Sequence, residues 1–195
     1  FYSHNDALVK ASKVRVRLYH GAGKAGLSEI ELWGPGESPI APAPPPAGNL
    51  AHRPKGAEFP KASASHTSRY DKVESANDGV TIFAASPNNR WTSYESPNAT
   101  DWLEIDFGKQ VSFGRVELAL YDDRGGVQAP RSYSIEYWDG TRFIPVQETS
   151  RQPTEPAGGQ WNQVRFTPVK SQRARVVFTH RGPARSGVSE VMIFP

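Results

Sequence analysis

The residue types with the most chemistry to offer are concentrated in one short segment, 121–130, between two predicted strands. It holds an aromatic ring, two carboxylates, a guanidinium group and two glycines, namely Tyr121, Asp122, Asp123, Arg124, Gly125 and Gly126. An aromatic ring can stack on the C–H face of a sugar, and planar charged groups can bind adjacent hydroxyls. This composition is compatible with a recognition loop. Taken by itself, however, the segment favours a charged connection whose Asp and Arg side chains merely face solvent.

Catalytic chemistry has little support in the sequence. Glu104 and Asp106 share one face of a predicted strand, whereas the two carboxylates of a glycosidase must flank the scissile bond. The five His residues include no pair at the i, i+4 spacing of a helical zinc site, and no Gly-x-Ser-x-Gly motif is present. The chain contains no Cys, which excludes disulfides and thiolate chemistry. We therefore predict no enzymatic activity for this chain by itself.

The elements that must position the loop are short β-strands. Segments 102–107 and 115–120 alternate apolar and polar residues, which is typical of half-buried strands. Their apolar positions are Leu103, Ile105, Phe107, Val116, Leu118 and Leu120. Asp139-Gly140 lies between two further strands and predicts a hairpin turn. No amphipathic helix is evident, so the pattern predicts an all-β fold, an antiparallel β-sandwich.

The two ends of the chain repeat one another. Residues 8–30 recur, with one extra residue, as residues 168–191, and each copy reads as two strands joined by a Gly-rich turn. Such a pair cannot bury its apolar face alone. We therefore predict that residues 1–34 are the closing strands of a preceding domain, whose remaining strands come from a partner chain or a processed precursor. The alternative is that this copy adds to the edge of the one complete sandwich.

Composition divides the rest of the chain into a linker and one domain. Residues 35–59 are rich in Pro and Gly and predict a linker, which leaves residues 60–195 as the complete domain. No apolar run is long enough to span a membrane.

The segment between Pro156 and Ser189 contains no acidic residue and accumulates arginines. Strand alternation puts Arg173 and Arg175 on one side and Ala174 on the other, which favours a solvated sheet face. Attraction for an anionic polymer, such as a uronic-acid glycan, is the alternative. Aromatic residues do not alternate with these cations, so we predict no nucleic-acid binding.

Five short motifs in order resemble the discoidin, or coagulation factor V/VIII type C, domain. They lie at residues 62–65, 76–79, 90–93, 101–108 and 187–194. Segments 116–140 and 161–166 are similar to the discoidin-like domain appended to bacterial glycoside hydrolases of the β-L-arabinofuranosidase type, although no catalytic barrel is present here. The resemblance implies a galactose-binding-like jelly-roll sandwich, preceded by a fragment of a second such domain.

The resemblance also implies a structural calcium ion where the loop after the first strand meets the last strand. Asp78 and Glu190 occupy the matching positions, and carbonyl oxygens of neighbours such as Asn77 and Ser86 are expected to face the ion. A turn capped by the Asp78 side chain, with Glu190 as an ordinary strand residue, is the alternative.

The resemblance implies a sugar site among the loops at one end of the sandwich. The candidate residues on these loops are Tyr70, Tyr94, Tyr121, Asp122, Asp123 and Arg124. Trp91 and Trp102 stand at motif positions that are structural in the family, so we assign them to packing.

We expect a non-catalytic carbohydrate-binding accessory module of a bacterial glycoside hydrolase, located outside the cell or in the periplasm. A packing module that binds no sugar and an adhesion module for anionic surfaces are the alternatives. A poly- or oligosaccharide and a catalytic chain or domain are the expected partners.

Overall fold

The computed structural model describes residues 12–19, 22–23 and 46–195. The chain divides into two compact units, Phe1–Ala43 and Pro44–Pro195. In the first unit residues 12–19 and 22–23 are exposed. Most of the strand pair predicted within residues 1–34 lies outside the described residues, so the preceding domain stays a prediction.

The second unit is a set of antiparallel strands, with one short 3-10 turn at Val73–Ala76. The strands are β1 (Lys61–Ala64), β2 (Trp91–Thr92), β3 (Thr100–Leu120), β4 (Ser132–Trp138), β5 (Phe143–Pro145), β6 (Glu148–Gln152), β7 (Gln160–Thr179) and β8 (Gly187–Phe194). Trp138 pairs with Phe143 across the predicted Asp139-Gly140 turn, which confirms the hairpin. Among the described residues, no helix has the length and apolar character needed to cross a membrane.

The long strands β3 and β7 each serve two layers. Residues 100–106 of β3 pair with residues 173–179 of β7. In the same layer, β1 pairs with β3 and β4 pairs with β7. Residues 115–120 of β3 pair with residues 160–165 of β7. In this second layer, β8 pairs with β3 and β6 pairs with β7. The predicted antiparallel sandwich is therefore confirmed.

The sequence predicted two separate strands where β3 is continuous. Its pairing register with β7 shifts between Asp106 and Val111, at the point where the strand passes from one layer to the other. Gly108 has a φ of 71°, a left-handed conformation that side chains disfavour, and the ring of Phe59 fills the space where a side chain would project. A bend therefore replaces the predicted break.

The core lies between the layers and uses the alternating positions. All six apolar residues predicted to point inward from segments 102–107 and 115–120 are buried. Aromatic rings complete the core, with Trp91 and Phe178 at 5.7 Å between centroids and Phe113 and Phe166 at 5.9 Å. Burial of these side chains is the main source of the stability of the sandwich.

Residues 49–53, within the segment that the sequence assigned to the linker, pack on the domain. The Leu50 N–H donates to the Ile193 carbonyl at 2.7 Å, and Ile193 N–H donates to Asn49 Oδ1 at 3.0 Å. Ala51 is fully buried in the core cluster. The ordered domain thus includes this segment.

The predicted basic face lies on the outside of the layer that contains residues 100–106 of β3. Arg173 and Arg175 on this face are both paired with carboxylates. Arg175 Nε donates to Glu136 Oε2 at 2.9 Å, and Arg173 Nε lies 3.2 Å from Asp106 Oδ2. Ala174 is buried on the opposite side, as alternation predicted. Glu104 lies beside Arg173, and burial raises its pKa while the arginine charges oppose that rise. Arg173 and Arg175 therefore belong to a balanced cross-strand ladder.

Candidate functional site

A cleft of about 200 Å³ opens between three loops that follow or precede strands of the sandwich. Its walls and floor come from residues near positions 70, 92 and 123, and its lining includes Tyr70, Asp71, Arg90, Thr92, Tyr94, Tyr121 and Asp123. Strand β2 sets Arg90 and Thr92 in place because Trp91, between them, is anchored in the core and pairs with Val188 of β8. The cleft is thus assembled on a rigid support.

Two tyrosines form the exposed aromatic wall of the cleft. Tyr70 is 57% exposed and Tyr94 is 37% exposed, and their ring centroids are 6.4 Å apart at an interplanar angle of 46°. The Arg69 guanidinium donates to the Tyr70 hydroxyl at 2.6 Å and lies 3.5 Å from Glu95. Large aromatic surfaces facing water at the edge of a polar cleft are suited to stacking on a ligand.

The floor of the cleft is a buried ion pair. Asp71 accepts a hydrogen bond from Thr92 Oγ1, and its other oxygen lies 3.5 Å from Arg90 Nε. Within the described residues, neither that Asp71 oxygen nor Arg90 Nε has a hydrogen-bond partner, and the two buried atoms face one another. The floor is therefore polar and charged, and it is enclosed beneath the tyrosines.

Tyr121 lies at the cleft but presents no open ring face, in contrast to the stacking role that the sequence suggested. It is only 2% exposed, and the Arg90 guanidinium lies over its ring at 4.2 Å from the centroid. Burial raises the pKa of the Tyr121 hydroxyl, and the charge of Arg90 opposes that rise. Tyr121 therefore supports Arg90 from below, and a sugar cannot stack on the covered face.

The charged residues of the 121–130 loop mainly shape the loop. Asp122 accepts backbone N–H groups of Arg124 at 2.7 Å and Ala129 at 3.2 Å, and Asp123 accepts those of Gly125 and Val127. Arg124 is exposed with a φ of 59°, and neither it nor Asp122 lines the cleft. The prediction that Asp122 and Arg124 contact a ligand therefore stays a prediction, and this cleft does not support it.

Sequence reasoning missed the floor of the cleft. Asp71 directly follows the candidate residue Tyr70, and Arg90 and Thr92 lie within the motif at residues 90–93. Their positions could therefore have indicated these residues as part of the site. It was not used because Arg90 and Asp71 are distant in sequence and only the fold brings them together.

Asp78 and Glu190 are close enough for the charge of one to act on the other. The Gly79 N–H donates to Glu190 Oε2 at 3.2 Å, while Glu190 Oε1 is buried without a hydrogen-bond partner. Glu190 is 1% exposed, and its pKa is raised to about 9, first by burial and then by the negative charge of Asp78, against the hydrogen bond from Gly79. Among the described residues no positive charge offsets this burial, so the protonated acid is favoured near neutral pH when no cation is bound.

The two other predicted calcium neighbours are placed less favourably. The Asn77 carbonyl accepts the Arg53 N–H at 2.9 Å, and the Asn77 side-chain amide donates to Ala51. Ser86 is exposed. In the described part of the chain no three acidic or histidine side chains converge, so a cation here would take the two carboxylates together with backbone oxygens.

A Ser–His–Asp arrangement exists, but it is structural. His180 Nδ1 lies 3.0 Å from Ser186 Oγ, and His180 Nε2 lies 2.9 Å from Asp101 Oδ2. Ser186 has no exposed surface, so no substrate can reach its hydroxyl. The network ties the start of β3 to the end of β7 and the segment before β8.

Comparison with known proteins agrees with this architecture. The sequence model of the F5/8 type C domain matches residues 61–191. A structure of the Streptococcus pneumoniae beta-galactosidase BgaA is 25% identical with a TM-score of 0.69, covering 75% of this chain and 98% of that chain. Chitosan-binding module 1 of a chitosanase/glucanase from Paenibacillus sp. IK-5 is also 25% identical, with a TM-score of 0.55 and the same coverage of both chains.

A more distant likeness concerns the fold alone. The family 32 CBM of Clostridium perfringens NanJ, solved in complex with galactose, is 18% identical with a TM-score of 0.56 and covers 68% of this chain and 91% of that chain.

Proposed function

Because the chain belongs to the F5/8 type C domain family, we propose that residues 46–195 form a non-catalytic module that binds carbohydrate in the cleft beside Tyr70 and Tyr94. The observation that carries this proposal is the pairing of two solvent-facing tyrosines with the Asp71–Arg90 floor. Aromatic rings contact the C–H face of a sugar, while a carboxylate and a guanidinium bind its hydroxyls. Tyr70 and Tyr94 face water, which favours this role over a packing module that binds no sugar.

The module serves a bacterial glycoside hydrolase that acts outside the cell. Solved structures of similar modules come from a beta-galactosidase and a chitosanase/glucanase, which supports this association. A weak sugar site holds the enzyme on its polysaccharide and raises the effective concentration of scissile bonds. Native mass spectrometry of the protein as isolated from its source tests the association, since it would show a catalytic chain or a longer precursor.

The test of the sugar site compares matched tyrosine variants. A glycan array first identifies a ligand for the wild-type protein, and isothermal titration then gives its affinity for each variant. We expect Tyr94→Ala and Tyr70→Ala each to weaken binding about tenfold, through loss of stacking. Tyr19→Ala, at an exposed tyrosine of the first unit, is the control and should bind normally. Equal affinity of all three variants, or no glycan bound by the wild type, would reject the site.

We also propose that Asp78 and Glu190 hold a structural calcium ion. The unpaired, buried Glu190 oxygen and the neighbouring Asp78 carboxylate support this, because calcium prefers carboxylate and carbonyl oxygens. The ion would supply the positive charge that the buried carboxylate lacks and would join the 78–90 loop to β8. It has no part in binding the sugar through this chain's cleft.

A further inference from the structure

We infer that a second carbohydrate site lies on the outer face of the sheet formed by β6, β7 and β3, and that it takes an uncharged polysaccharide chain. A groove of about 330 Å³ runs over this face. It is lined by Glu117, Gln152, Pro153, Gln160, Trp161 and Gln163, and none of these residues lines the loop cleft. The volume lies at the lower end of the range of about 300–1,000 Å³ that is typical of ligand sites.

Strand pairing builds the groove. Gln152 of β6 pairs with Gln163 of β7, which in turn pairs with Glu117 of β3, so the three side chains form one cross-strand row. Trp161 lies two residues before Gln163 on the same face, while Asn162 and Val164 between and beside them are buried. Alternation along β7 therefore places the indole ring and the amide groups together.

The aromatic member of the groove packs against a second aromatic ring. The ring of Trp161 meets the ring of Phe83 in an edge-to-face contact, with centroids 6.5 Å apart and an interplanar angle of 87°. Trp161 is only half-buried and also lines the groove. A partly exposed indole at the side of an open groove is suited to stacking on the flat C–H face of a pyranose ring.

The polar members of the groove match sugar hydroxyls. A carboxamide presents donors and an acceptor in one plane, and a pair of adjacent hydroxyls can both accept and donate. Gln152 and Gln160 are exposed, and their side chains make no hydrogen bond within the described residues. Gln163 is fixed, since it donates to Glu117 Oε1 at 2.9 Å and accepts from Arg165 Nε at 2.9 Å. The groove therefore has both free and oriented amide groups.

Charge favours a neutral ligand. Glu117 is the one acidic residue of the lining, and it already accepts from Gln163 and lies 3.4 Å from Arg115 Nε. The carboxylate is thus compensated within the sheet, and no other ionic group lines the groove. The two cations beside the lining, Arg115 and Arg165, already contact Glu117 and Gln163. A neutral chain would meet the indole and amide surfaces of the groove itself.

The experiment isolates the groove from the loop cleft. Protein labelled with ¹⁵N and carrying Tyr94→Ala is titrated with cellohexaose, xylohexaose and β-1,4-galactohexaose, and the Trp161 indole N–H and the Gln152 and Gln160 side-chain NH₂ signals are followed. We expect saturable shifts of these signals with at least one hexasaccharide. Trp161→Ala should remove binding, but this variant also loses the contact with Phe83.

The exposed amide variants therefore decide the result. Gln152→Ala and Gln160→Ala lie at the surface and should weaken binding of the hexasaccharide about fivefold or more in the Tyr94→Ala protein. Gln147→Ala, at an exposed glutamine outside the groove, is the matched control and should leave the affinity unchanged. No saturable shift with any of the three sugars at millimolar concentration, or equal affinity in all three glutamine variants, would overturn the second site. If only the loop cleft fails to bind sugar, the signals of Trp161, Gln152 and Gln160 still shift. The experiment therefore tests the groove independently of the loop cleft.

Discussion

Tyr94 lies directly against Gly126, so that a β-carbon added at position 126 would stand 2.5 Å from Tyr94 Cε2. Non-bonded carbon atoms prefer a separation of about 3.5–4.0 Å. The exposed ring that forms one wall of the cleft therefore rests on the backbone of the 121–130 loop. The loop that the sequence indicated for its side chains thus also supports the site through Gly126, a residue with no side chain.

Gly126→Ala should displace Tyr94 and weaken sugar binding about tenfold, an effect similar to that of Tyr94→Ala. The fold should persist, because Gly126 does not have a left-handed φ. Gly125→Ala on the same loop is the control, since its β-carbon meets Asp123 Oδ1 at 3.3 Å and leaves Tyr94 in place. Isothermal titration with the array-selected sugar measures both. Unchanged affinity of Gly126→Ala would show that the position of Tyr94 does not matter for binding.

Acid should destabilise the domain through Asp101. Burial acts to raise the pKa of Asp101, but hydrogen bonds from Ser65, Asn98, Ser96 and His180 together lower it below its ordinary value of 3.8. A lowered folded-state pKa contributes stability that is complete above the ordinary value and is lost as the pH falls toward the folded value. The free energy of unfolding should therefore decline below about pH 4.

The matched variant for this prediction is Asp101→Asn. It should cost about 1–3 kcal/mol near neutral pH, because the network loses its charged acceptor, and its stability should depend less on pH in the acid range. Urea unfolding at a series of pH values measures both effects. Parallel curves for the variant and the wild type would show that Asp101 does not contribute to the acid response.

Calcium should raise the thermal stability of the domain. A ligand that binds only the folded state at 100 times its dissociation constant adds about 2.7 kcal/mol. The Tm should therefore rise on addition of calcium and fall on addition of a chelator. Glu190→Gln should abolish this response, whereas Glu155→Gln, at an exposed glutamate, should retain it. Differential scanning calorimetry decides, and a calcium response that survives in Glu190→Gln would place the ion elsewhere.

Sugar binding should depend only weakly on salt. Arg90, the cation that lines the cleft, is paired with Asp71, and Arg173 and Arg175 are paired with carboxylates, so the proposed sugar site itself presents little net positive charge. The affinity for the selected glycan should change less than about twofold between low salt and about 0.5 M salt. A steep fall in affinity with salt would instead support the adhesion of the basic segment to anionic surfaces.

The sequence alone determined the strands and their inward faces. Leu103, Ile105 and Phe107 could be assigned to the core because the period of two along a strand is a local property that needs no partner. The same rule placed Arg173 and Ala174 on opposite faces of their strand. The β3 bend escaped this rule, since a left-handed glycine that lets one strand enter two layers leaves the alternation on both sides intact.

Only the tertiary structure decided which side chains meet. Tyr121 looked like a binding residue until Arg90, from a distant loop, covered its ring, and Asp71 gained its role only through that same arginine. The Trp161 groove likewise depends on the register that sets Gln152 beside Gln163 and Glu117. Such contacts between distant segments depend on strand order and register, which no local pattern encodes, because each strand is compatible with several partners until the whole core is packed.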